Sequence, residues 1–461
     1  MANFILRNPI IFIDGTGFDT IPDNEEIFAN TRPQKNISFN IGQDVSTTSN
    51  TVFNQLSTEK LIIDNHVQTK GIEKVNLDRA ESRILASDVV AKIPSPLFDN
   101  SAMDGFAVKY LDIDGATKNN PVKLKLVSIS SAGAPTNIVL KHGECIQCMT
   151  GAQIPAGADS IIMVEKTSGF NDEKVVDFYS KTLEGSNIRR QGEEVKKGEF
   201  LISNGTKITP NEIGILAAFG YGSVSVYKQP KIAIFGTGDE LVEPGNELKP
   251  GQIYNSNLYV MADLVRESGS KVITKEVIKD DKNALRSFLK EAIEQCDIII
   301  SSGGVSMGKY DYVRDVFIEL GVEEKFWKVA QKPGKPLFFG NKSSTLIFGL
   351  PGNPVSSYIG FMIWIWPVLE KMMGLVNESF VFAKLKMDFP TEKHKHRFLF
   401  GQAWLEKGTL VCKPSLKLGS HMLSSSKNAN CIIGAEKSDN FLKSGSQVKI
   451  KLLPWKNIKW L

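Results

Sequence analysis

The chain has 461 residues, of which 42% are hydrophobic and 23% are charged, proportions that exclude a disordered or collagen-like protein. It carries 55 lysines and arginines against 51 aspartates and glutamates, a net charge of +4. So small an excess over so long a chain argues against a dedicated nucleic-acid-binding protein, and an anionic ligand would need a local site.

The sequence predicts neither a membrane span nor a disulfide framework. The longest apolar stretch, Tyr358 to Leu369, is shorter than the ~20 residues that cross a bilayer and is interrupted by Pro367. The first residues lack the small-residue cleavage pattern of a signal peptide. The five cysteines are an odd number spread along the chain, which favours a reducing compartment, and we expect a cytoplasmic protein.

The first half of the chain changes texture twice. Residues 1–55 are rich in Asn, Thr and Ser and show no sustained period, so they form an extension of unknown role. Apolar residues at helical spacing predict helices over 57–67 and 77–86. Short alternating runs between residues 94 and 226, separated by Gly, Pro and Asn, predict antiparallel β structure with one helix at 211–220.

From Lys231 to Gly374, strand and helix patterns alternate. Apolar runs such as KIAIFG, DIIISSGG and TLIFGL alternate with helical patterns such as LYVMADLVRESG and NALRSFLKEAIEQC. This order predicts right-handed βαβ crossovers and a doubly wound, mostly parallel sheet that is covered on both faces. After Gly374 the short strands return and predict a small β domain.

Three glycine-rich loops follow strands of this predicted sheet, at Gly236–Glu240, Ser301–Gly308 and Gly349–Pro354. Glycine lets the backbone approach a ligand, and the amides at the start of the next helix attract anions. A single loop of this kind is more often a plain turn, but ligands bind at this edge of such sheets and three loops favour a site. None is a Walker A or G-x-G-x-x-G motif, which lowers support for nucleoside triphosphates and dinucleotides.

Acidic and basic residues are predicted at the same edge. Glu240, Asp280 and Asp311 supply carboxylates that suit Mg²⁺, although helix capping also explains Asp311. The segment Lys328–Pro336 interleaves three lysines with prolines, which restrict its conformations and can place ammonium groups against phosphate or oxyanion. The residues alone therefore indicate an anionic substrate of the phosphorylated class and a divalent metal.

Two further segments carry possible chemistry. The loop Ser95–Ala107 holds two carboxylates between a proline and a Gly-aromatic pair, which is unusual for a connecting loop. Cys145 and Cys148 form a lone C-x-x-C within a predicted strand. Alternation would turn these two thiols to opposite faces, which favours packing over zinc or redox chemistry.

Eight segments, in order, carry a family resemblance: FDNSAMDGFA, MTGAQIPAGADSIIMVE, RRQGEEVKKGEFL, IFGTGDELVEPG, GQIYNSN, SSGGVSMGKYDYV, FWKVAQKPGKP and GLPGNPVSS. From Leu56 onward the chain resembles the molybdopterin molybdenumtransferase family, of the MoeA and gephyrin E-domain type. The resemblance implies a homodimer whose subunit has four parts after the extension 1–55. These are a discontinuous N-terminal domain (56–95 and 185–226), an inserted β-rich lobe (96–184), a molybdopterin-binding α/β domain (227–374) and a C-terminal β-barrel (375–461).

The implied activity is insertion of molybdate into adenylylated molybdopterin with release of AMP and with Mg²⁺ as cofactor. The implied catalytic residues are Asp104, Thr150, Glu240, Asp280, Asp311, Lys328 and Lys332, of which Glu240, Asp280 and Asp311 hold the metal. The implied substrate-binding residues are Ser101, Gly238, Asn255, Ser302, Gly303, Gly304, Ser306, Lys335, Pro351, Gly352, Pro354 and Ser420. In the family, the motif that holds Asp104 and Thr150 reaches the cleft of the partner subunit.

The C-terminal part departs from the family pattern. Relatives carry an Arg-x-x-aromatic-x-Arg run, whereas this chain has Lys395 and Phe400 at the arginine positions, and His421 stands where some relatives have arginine. A planar guanidinium would be lost at both arginine positions.

Two alternatives remain open, a molybdopterin adenylyltransferase and a non-catalytic gephyrin-like scaffold. Expected partners are an adenylyltransferase and recipient molybdoenzymes, with no nucleic acid and no membrane.

Overall fold

The structure, a computed structural model, describes residues 56–171, 173–279, 281–304, 312–375, 380–438 and 441–460. The extension 1–55 and the predicted site residues Asp280, Ser306 and Asp311 lie outside the described residues. The described residues divide into two compact units, one formed by Ile72–Tyr227 and one formed by residues 56–71 together with those from Lys228 onward. Residues 56–71, assigned above to the N-terminal domain, thus belong to the unit that contains the α/β and barrel parts.

The α-helices in the described part of the chain are α1 (Leu56–Asp64), α2 (Pro210–Ala218), α3 (Asn257–Glu267), α4 (Lys282–Gln295), α5 (Tyr312–Glu319), α6 (Pro354–Gly360) and α7 (Trp366–Met372). A π-helical segment, Phe361–Ile365, connects α6 to α7. A search of the described helices finds none with the length and apolar character needed to cross a membrane.

The strands of the unit Ile72–Tyr227 are β1 (Ile72–Asn76), β2 (Val89–Val90), β3 (Asn100–Ser101), β4 (Gly105–Val108), β5 (Val122–Ser130), β6 (Glu144–Cys148), β7 (Ser160–Met163), β8 (Val175–Phe178), β9 (Ile188–Arg189), β10 (Phe200–Ile202) and β11 (Ser223–Tyr227). Its main sheet has the order β7-β4-β6-β5-β8. The pairs are antiparallel, as predicted, except that β5 and β6 run parallel.

Different core clusters cover this sheet and its neighbourhood. Cys145 packs with one cluster and Cys148 with another, which confirms that alternation along β6 turns the two thiols to different cores. A third cluster, with Leu85, Leu216 and Val226, fills the space between α2 and the β1–β11 pair. All five cysteines are free and buried.

The first half of the chain contains two correct helix predictions, since α1 covers most of the predicted segment 57–67, and one wrong prediction. Helix α2 forms where expected, and Thr209 begins it with a capping box in which Glu212 bonds back to the Thr209 backbone. The predicted helix over 77–86 is wrong: only Leu77–Arg79 forms a 3₁₀ turn. The backbone N–H groups of Leu85 and Ala86 instead donate to Thr206 and Ser225, so non-local pairing overrides the local helical period.

The strands of the other unit are β12 (Lys231–Thr237), β13 (Leu241–Val242), β14 (Ile253–Tyr254), β15 (Lys271–Ile278), β16 (Ile298–Ser302), β17 (Glu323–Trp327), β18 (Gln331–Lys332), β19 (Phe338–Lys342), β20 (Thr345–Leu350), β21 (Val381–Leu385), β22 (His396–Glu406), β23 (Thr409–Pro414), β24 (Cys431–Ala435), β25 (Gln447–Leu452) and β26 (Lys459–Trp460). Its six-stranded sheet has the order β15-β12-β16-β20-β19-β17.

The predicted mostly parallel, doubly covered sheet is confirmed. The first four strands of the sheet order are parallel, whereas β19 and β17 add an antiparallel edge that was not predicted. Alternation along β12 places Ile232 and Ile234 in the cluster that includes α3 and α6 residues. Ala233 and Phe235 lie in the opposite cluster, with α4 and α5 residues.

The C-terminal β-barrel is also confirmed. Strands β22, β23, β21, β25 and β24 pair in this order, and β24 pairs again with β22, which closes a five-stranded ring. Along β22, Leu399 and Ala403 point into the barrel core. Phe398 and Phe400 lie on the other side and join the core of the α/β part. One continuous apolar cluster therefore joins barrel and sheet.

Candidate active site

A cavity of about 1260 Å³ opens in the unit that contains the α/β part and the barrel. This exceeds the roughly 300–1,000 Å³ of usual small-molecule pockets. Its walls are the loops that follow β12, β16 and β20, the segment Gln331–Pro336, and residues at one end of the barrel. The site thus lies at the carboxyl edge of the parallel strands, where the glycine-rich loops predicted it.

Asn257, the first residue of α3, connects two of the glycine-rich loops. Its side-chain nitrogen donates to Ser302 Oγ at 2.9 Å and to the Gly352 carbonyl at 2.7 Å. The Gly303 N–H also donates to the Leu350 carbonyl at 2.9 Å. These bonds fix the loops after β16 and β20 against one another and keep their backbones facing the cavity.

The first loop requires glycine at one position. Gly238 has a φ of +143°, and a Cβ atom built there would lie 2.5 Å from the nearer carboxylate oxygen of Glu240. Any other residue at 238 would therefore displace Glu240. The same loop is held by Asn255, whose side chain donates to Glu243 Oε1 at 2.8 Å, while the Tyr259 hydroxyl donates to Glu243 Oε2 at 2.7 Å.

A buried glutamine supports the lysine-rich loop. Gln331 is 1% exposed and donates to the Pro333 carbonyl at 3.0 Å. Its Oε1 accepts a bond from Trp364 Nε1 at 2.8 Å, and Trp364 lies in the π-helical segment. Because both ends of the amide are bonded inside the protein, the loop that carries Lys332 and Lys335 has a fixed base.

The barrel contributes charged residues to the cavity. Lys395, Arg397, Glu392 and His421 line it beside Lys332. Lys332 Nζ donates to Glu392 Oε1 at 2.5 Å. This bond, with smaller contributions from Arg397 and Lys395, holds the pKa of Glu392 below its usual value. Burial lowers the pKa of Arg397, although Glu392 opposes this effect.

Most of the predicted residues of this unit come together. Those that line the cavity are Glu240, Lys332, Lys335, Gly238, Asn255, Ser302, Gly303, Gly304, Pro351, Gly352, Pro354 and Ser420. Lys328 is not among the described lining residues, and its ammonium instead lies 3.9 Å from the centre of the Trp327 ring. Its predicted catalytic contact has no support here.

Three predicted residues lie in the unit Ile72–Tyr227. Asp104 Oδ1 accepts bonds from the Thr150 N–H at 2.7 Å and from the Thr150 hydroxyl at 2.8 Å, which hold the pKa of Asp104 below its usual value. Ser101 is fully buried and donates to the Met103 carbonyl at 2.6 Å. In this structure the Ser101 hydroxyl shapes the turn that leads to Asp104, and its substrate contact stays a prediction.

The barrel departures have a structural explanation. Phe400 is buried against Tyr358, with ring centroids 4.9 Å apart, so it cannot present a charge to the cavity. Arg397 lies three residues earlier in β22, so its side chain is on the opposite face of the strand from Phe400, and it lines the cavity. A guanidinium is therefore present after all, at a position to which the sequence alone gave no role.

The lining residues that were not predicted include four polar or charged side chains: Asn257, Gln331, Glu392 and Arg397. Asn257 and Gln331 stand inside motifs quoted above, next to residues that were predicted, so their motif membership was the available signal. Glu392 and Arg397 had no such signal, because the pairing of β18 with β22 is what brings the distant Lys332 beside them.

Only one of the three predicted metal ligands lies among the described residues. Among them, no three His, Cys, Asp or Glu side chains come together in a metal-binding cluster. Glu240 lies at the cavity, whereas the two other predicted ligands fall outside the described residues. A single carboxylate with nearby backbone carbonyls fits one face of an oxygen-ligand site for Mg²⁺.

Comparison with known families matches three consecutive regions. Residues 54–220 match the MoeA N-terminal region (domain I and II), residues 233–371 match a "probable molybdopterin binding domain", and residues 383–453 match the MoeA C-terminal region (domain IV). The three matches follow the order of the β-rich unit, the α/β sheet and the barrel.

Individual relatives agree with these matches. The molybdopterin molybdenumtransferase of Bacillus subtilis is 34% identical over 85% of this chain and 92% of its own length. That of Haemophilus influenzae is 34% identical over 82% and 93%. A crystal structure of the molybdopterin biosynthesis MoeA protein from Pyrococcus horikoshii has a TM-score of 0.74 and 31% identity, covering 86% of this chain and 98% of that one. The chain therefore belongs to the molybdopterin molybdenumtransferase family.

Proposed function

We propose that this protein is a molybdopterin molybdenumtransferase that inserts molybdate into adenylylated molybdopterin and releases AMP. The observation that carries the proposal is the convergence of the three glycine-rich loops, Glu240 and a group of cations around one large cavity. Such a cavity has room for a nucleotide-linked pterin and donors for its phosphates. Family membership supports the same activity.

The residues of the cavity divide into two functional regions. Backbone N–H groups of the loops after β16 and β20 face the cavity and suit the bridging phosphates of the substrate. Lys332, Lys335, Lys395 and Arg397 supply positive charge from the other side. They would bind the tetrahedral oxyanion and stabilise the charge that develops when the phosphate anhydride breaks. The two regions place oxyanion and phosphate in one compartment.

We propose that Mg²⁺ assists this reaction and that Glu240, Asp280 and Asp311 hold it. When bound, a divalent cation would neutralise the bridging phosphate oxygens and stabilise the leaving AMP. The backbone of Glu240 is held at the cavity by β14, since the Ile253 N–H donates to its carbonyl at 2.9 Å. Chelation of Mg²⁺ should then abolish AMP release without unfolding the protein.

The two alternative functions have less support. An adenylyltransferase would need only the α/β domain, whereas this chain also matches the MoeA N-terminal and C-terminal regions. A scaffold without catalysis would not need the cations and Glu240 around one cavity. Neither alternative would release both AMP and active cofactor in the assay below. An adenylyltransferase would be recognised separately, because it joins the adenylyl group of ATP to molybdopterin and releases pyrophosphate.

The decisive assay incubates the full chain with adenylylated molybdopterin, molybdate and Mg²⁺, and measures AMP and active cofactor. Glu240→Gln should reduce turnover about a hundredfold, the loss usually seen when one electrostatic group is removed. Its matched control is Glu247→Gln, a change to an exposed carboxyl of the same segment that does not line the cavity. Equal turnover of the Glu240 variant and wild type would refute the role of Glu240.

We further propose a cytoplasmic homodimer that receives its substrate from an adenylyltransferase and passes its product to molybdoenzymes. Burial raises the pKa of the cysteine thiols, for example that of Cys145 to about 12 and that of Cys148 to about 11. Free thiols of this kind suit a reducing compartment.

A further inference from the structure

Two cations of the cavity are held side by side by strand pairing. Strand β18 runs parallel to β22, and Lys332 is the register partner of Arg397. Side chains of register partners point to the same side of a sheet. Two positive charges on neighbouring strands repel each other, and the repulsion is strongest where water is excluded. An anion between the two groups lowers this repulsion, which acts most strongly on the buried Arg397 because about 47% of the Lys332 side chain is exposed.

Glu392 supplies that anion with a single oxygen. Its Oε1 lies 2.5 Å from Lys332 Nζ and 3.6 Å from Arg397 Nη1. The first distance is a hydrogen bond, but the second is too long to be one. One carboxylate with one charge thus serves two cations and satisfies only the lysine well.

Arg397 is poorly compensated for a buried charge. Only 5% of its side chain is exposed, and its buried Nε finds no hydrogen-bond partner within the described part of the chain. Burying a charge is costly unless strong partners replace water. An anion with more charge and more acceptor oxygens than Glu392 would therefore gain more from this position.

The backbone of Glu392 is anchored while its carboxylate remains accessible. The Ser438 N–H donates to the Glu392 carbonyl at 3.1 Å, and the Thr391 hydroxyl donates to the Ser438 carbonyl at 2.9 Å. About 30% of the Glu392 side chain is exposed. Rotation of this side chain away from Lys332 would consequently disturb neither of these backbone contacts.

We propose that Glu392 is a built-in competing anion, which occupies the Lys332–Arg397 pair and which a tetrahedral dianion must displace to bind. The inference rests on the proposed function only for the identity of the natural dianion, molybdate. A dianion offers two charges and several oxygens, so it can satisfy both cations. Glu392 thereby weakens binding and excludes anions that compete less well than its own carboxylate.

The test measures binding of inorganic molybdate to the full chain by equilibrium dialysis, without turnover. Glu392→Gln should bind molybdate about tenfold more tightly than wild type, which corresponds to about 1.4 kcal/mol. The matched control is Glu406→Gln, because Glu406 forms an equally close pair with Lys386, 2.6 Å apart, in the same barrel. This control should bind molybdate as wild type does.

A second measurement uses wild type alone, in case loss of Glu392 prevents folding. Carbodiimide labelling of Glu392, read by mass spectrometry, should increase when molybdate is added, while acetylation of Lys332 should decrease. Unchanged or weaker binding by a folded Glu392→Gln variant, or unchanged labelling of wild type, overturns the proposal. If AMP release fails while these effects appear, only the proposed function is refuted.

Discussion

The pair formed by Asp104 and Thr150 shows what a single hydroxyl contributes. Thr150 donates to Asp104 with both its N–H and its hydroxyl, and together they lower the pKa of the carboxyl. A depressed carboxyl pKa adds stability that is present above the unfolded value of about 3.9 and is lost as pH falls through the folded value. The ionised form is therefore the one that this loop maintains.

We expect Thr150→Val to raise the pKa of Asp104, because the hydroxyl bond is lost and only the N–H bond remains. NMR titration of carboxyl-labelled aspartate measures this directly, and loss of the ionised form should then begin at higher pH. Thr150→Ser retains the hydroxyl and should leave the titration unchanged. A wild-type titration curve in the valine variant would show that the N–H bond alone sets the pKa.

Single residues could be predicted where a reactive side chain lies inside a recognisable motif. They could not be predicted where the direction of the side chain depends on its position along a strand. Glu240 and Lys332 were predicted from loops and charge, and both line the cavity. Phe400 was correctly described as lacking charge, but the compensating Arg397 was missed. The role of Arg397 depends on which face of β22 its side chain takes. The first six residues of β22 are all buried, so their sequence shows no alternation of apolar and polar residues that would reveal the face.

At the scale of elements, the π-helical segment between α6 and α7 couples the core to the cavity. Trp364 is buried there and holds Gln331, which in turn supports the loop of Lys332. A π-helical segment is uncommon and often lies at a functional site. Here the π-helical segment contains Trp364, whose indole bonds to Gln331 at the base of the lysine-rich loop.

We expect Trp364→Phe to lower the free energy of unfolding by about 1–3 kcal/mol, because the Gln331 oxygen is left buried without its donor. The same change should weaken molybdate binding, because Gln331, which supports the lysine-rich loop, loses its hydrogen bond from Trp364. Trp366→Phe is the control, because Trp366 is buried in the same helix but packs on Trp455. Urea unfolding and equilibrium dialysis measure the two effects, and equal binding by both variants would contradict the coupling.

The antiparallel edge of the six-stranded sheet was not predicted because its hairpin lacks the usual sequence signal. Strands β17 and β19 form the antiparallel edge of the sheet, and the turn between β19 and β20 places Ser343 at a φ of +52°. Gly or Asn usually marks such a conformation, so a serine there removes the hairpin signal. The false helix at 77–86 has the opposite cause, a local period without the tertiary contacts that a helix needs.

At the scale of the whole molecule, the chain comprises two compact units that each hold part of the predicted site. Asp104 and Thr150 lie in one unit, and Glu240 and Lys332 lie in the other. Sequence patterns predicted the parallel sheet from its apolar runs and a small C-terminal β domain from its short strands, whereas the barrel was implied by the family resemblance. Local pattern does not determine whether the residues of one site come from one chain or from two, because that depends on assembly.

The expectation that Asp104 serves the cavity of a partner chain stays a prediction with a clear test. We expect Asp104→Asn and Glu240→Gln to be inactive alone but to recover about a quarter of wild-type turnover when co-expressed. Random pairing makes half of the dimers mixed, and each mixed dimer would regain one intact site. No recovery, with mixed dimers demonstrated by differential tags, would place the two residues of one site in the same chain.

The buried cysteine thiols offer a way to follow the unfolding of each unit separately. Cys145 and Cys148 are buried in one unit, and Cys296, Cys412 and Cys431 are buried in the other. A native sample should resist alkylating reagents, since the reactive thiolate is scarce and shielded. Each unit thus carries its own chemical tag, and the order in which the peptides become alkylated in denaturant would reveal which half opens first.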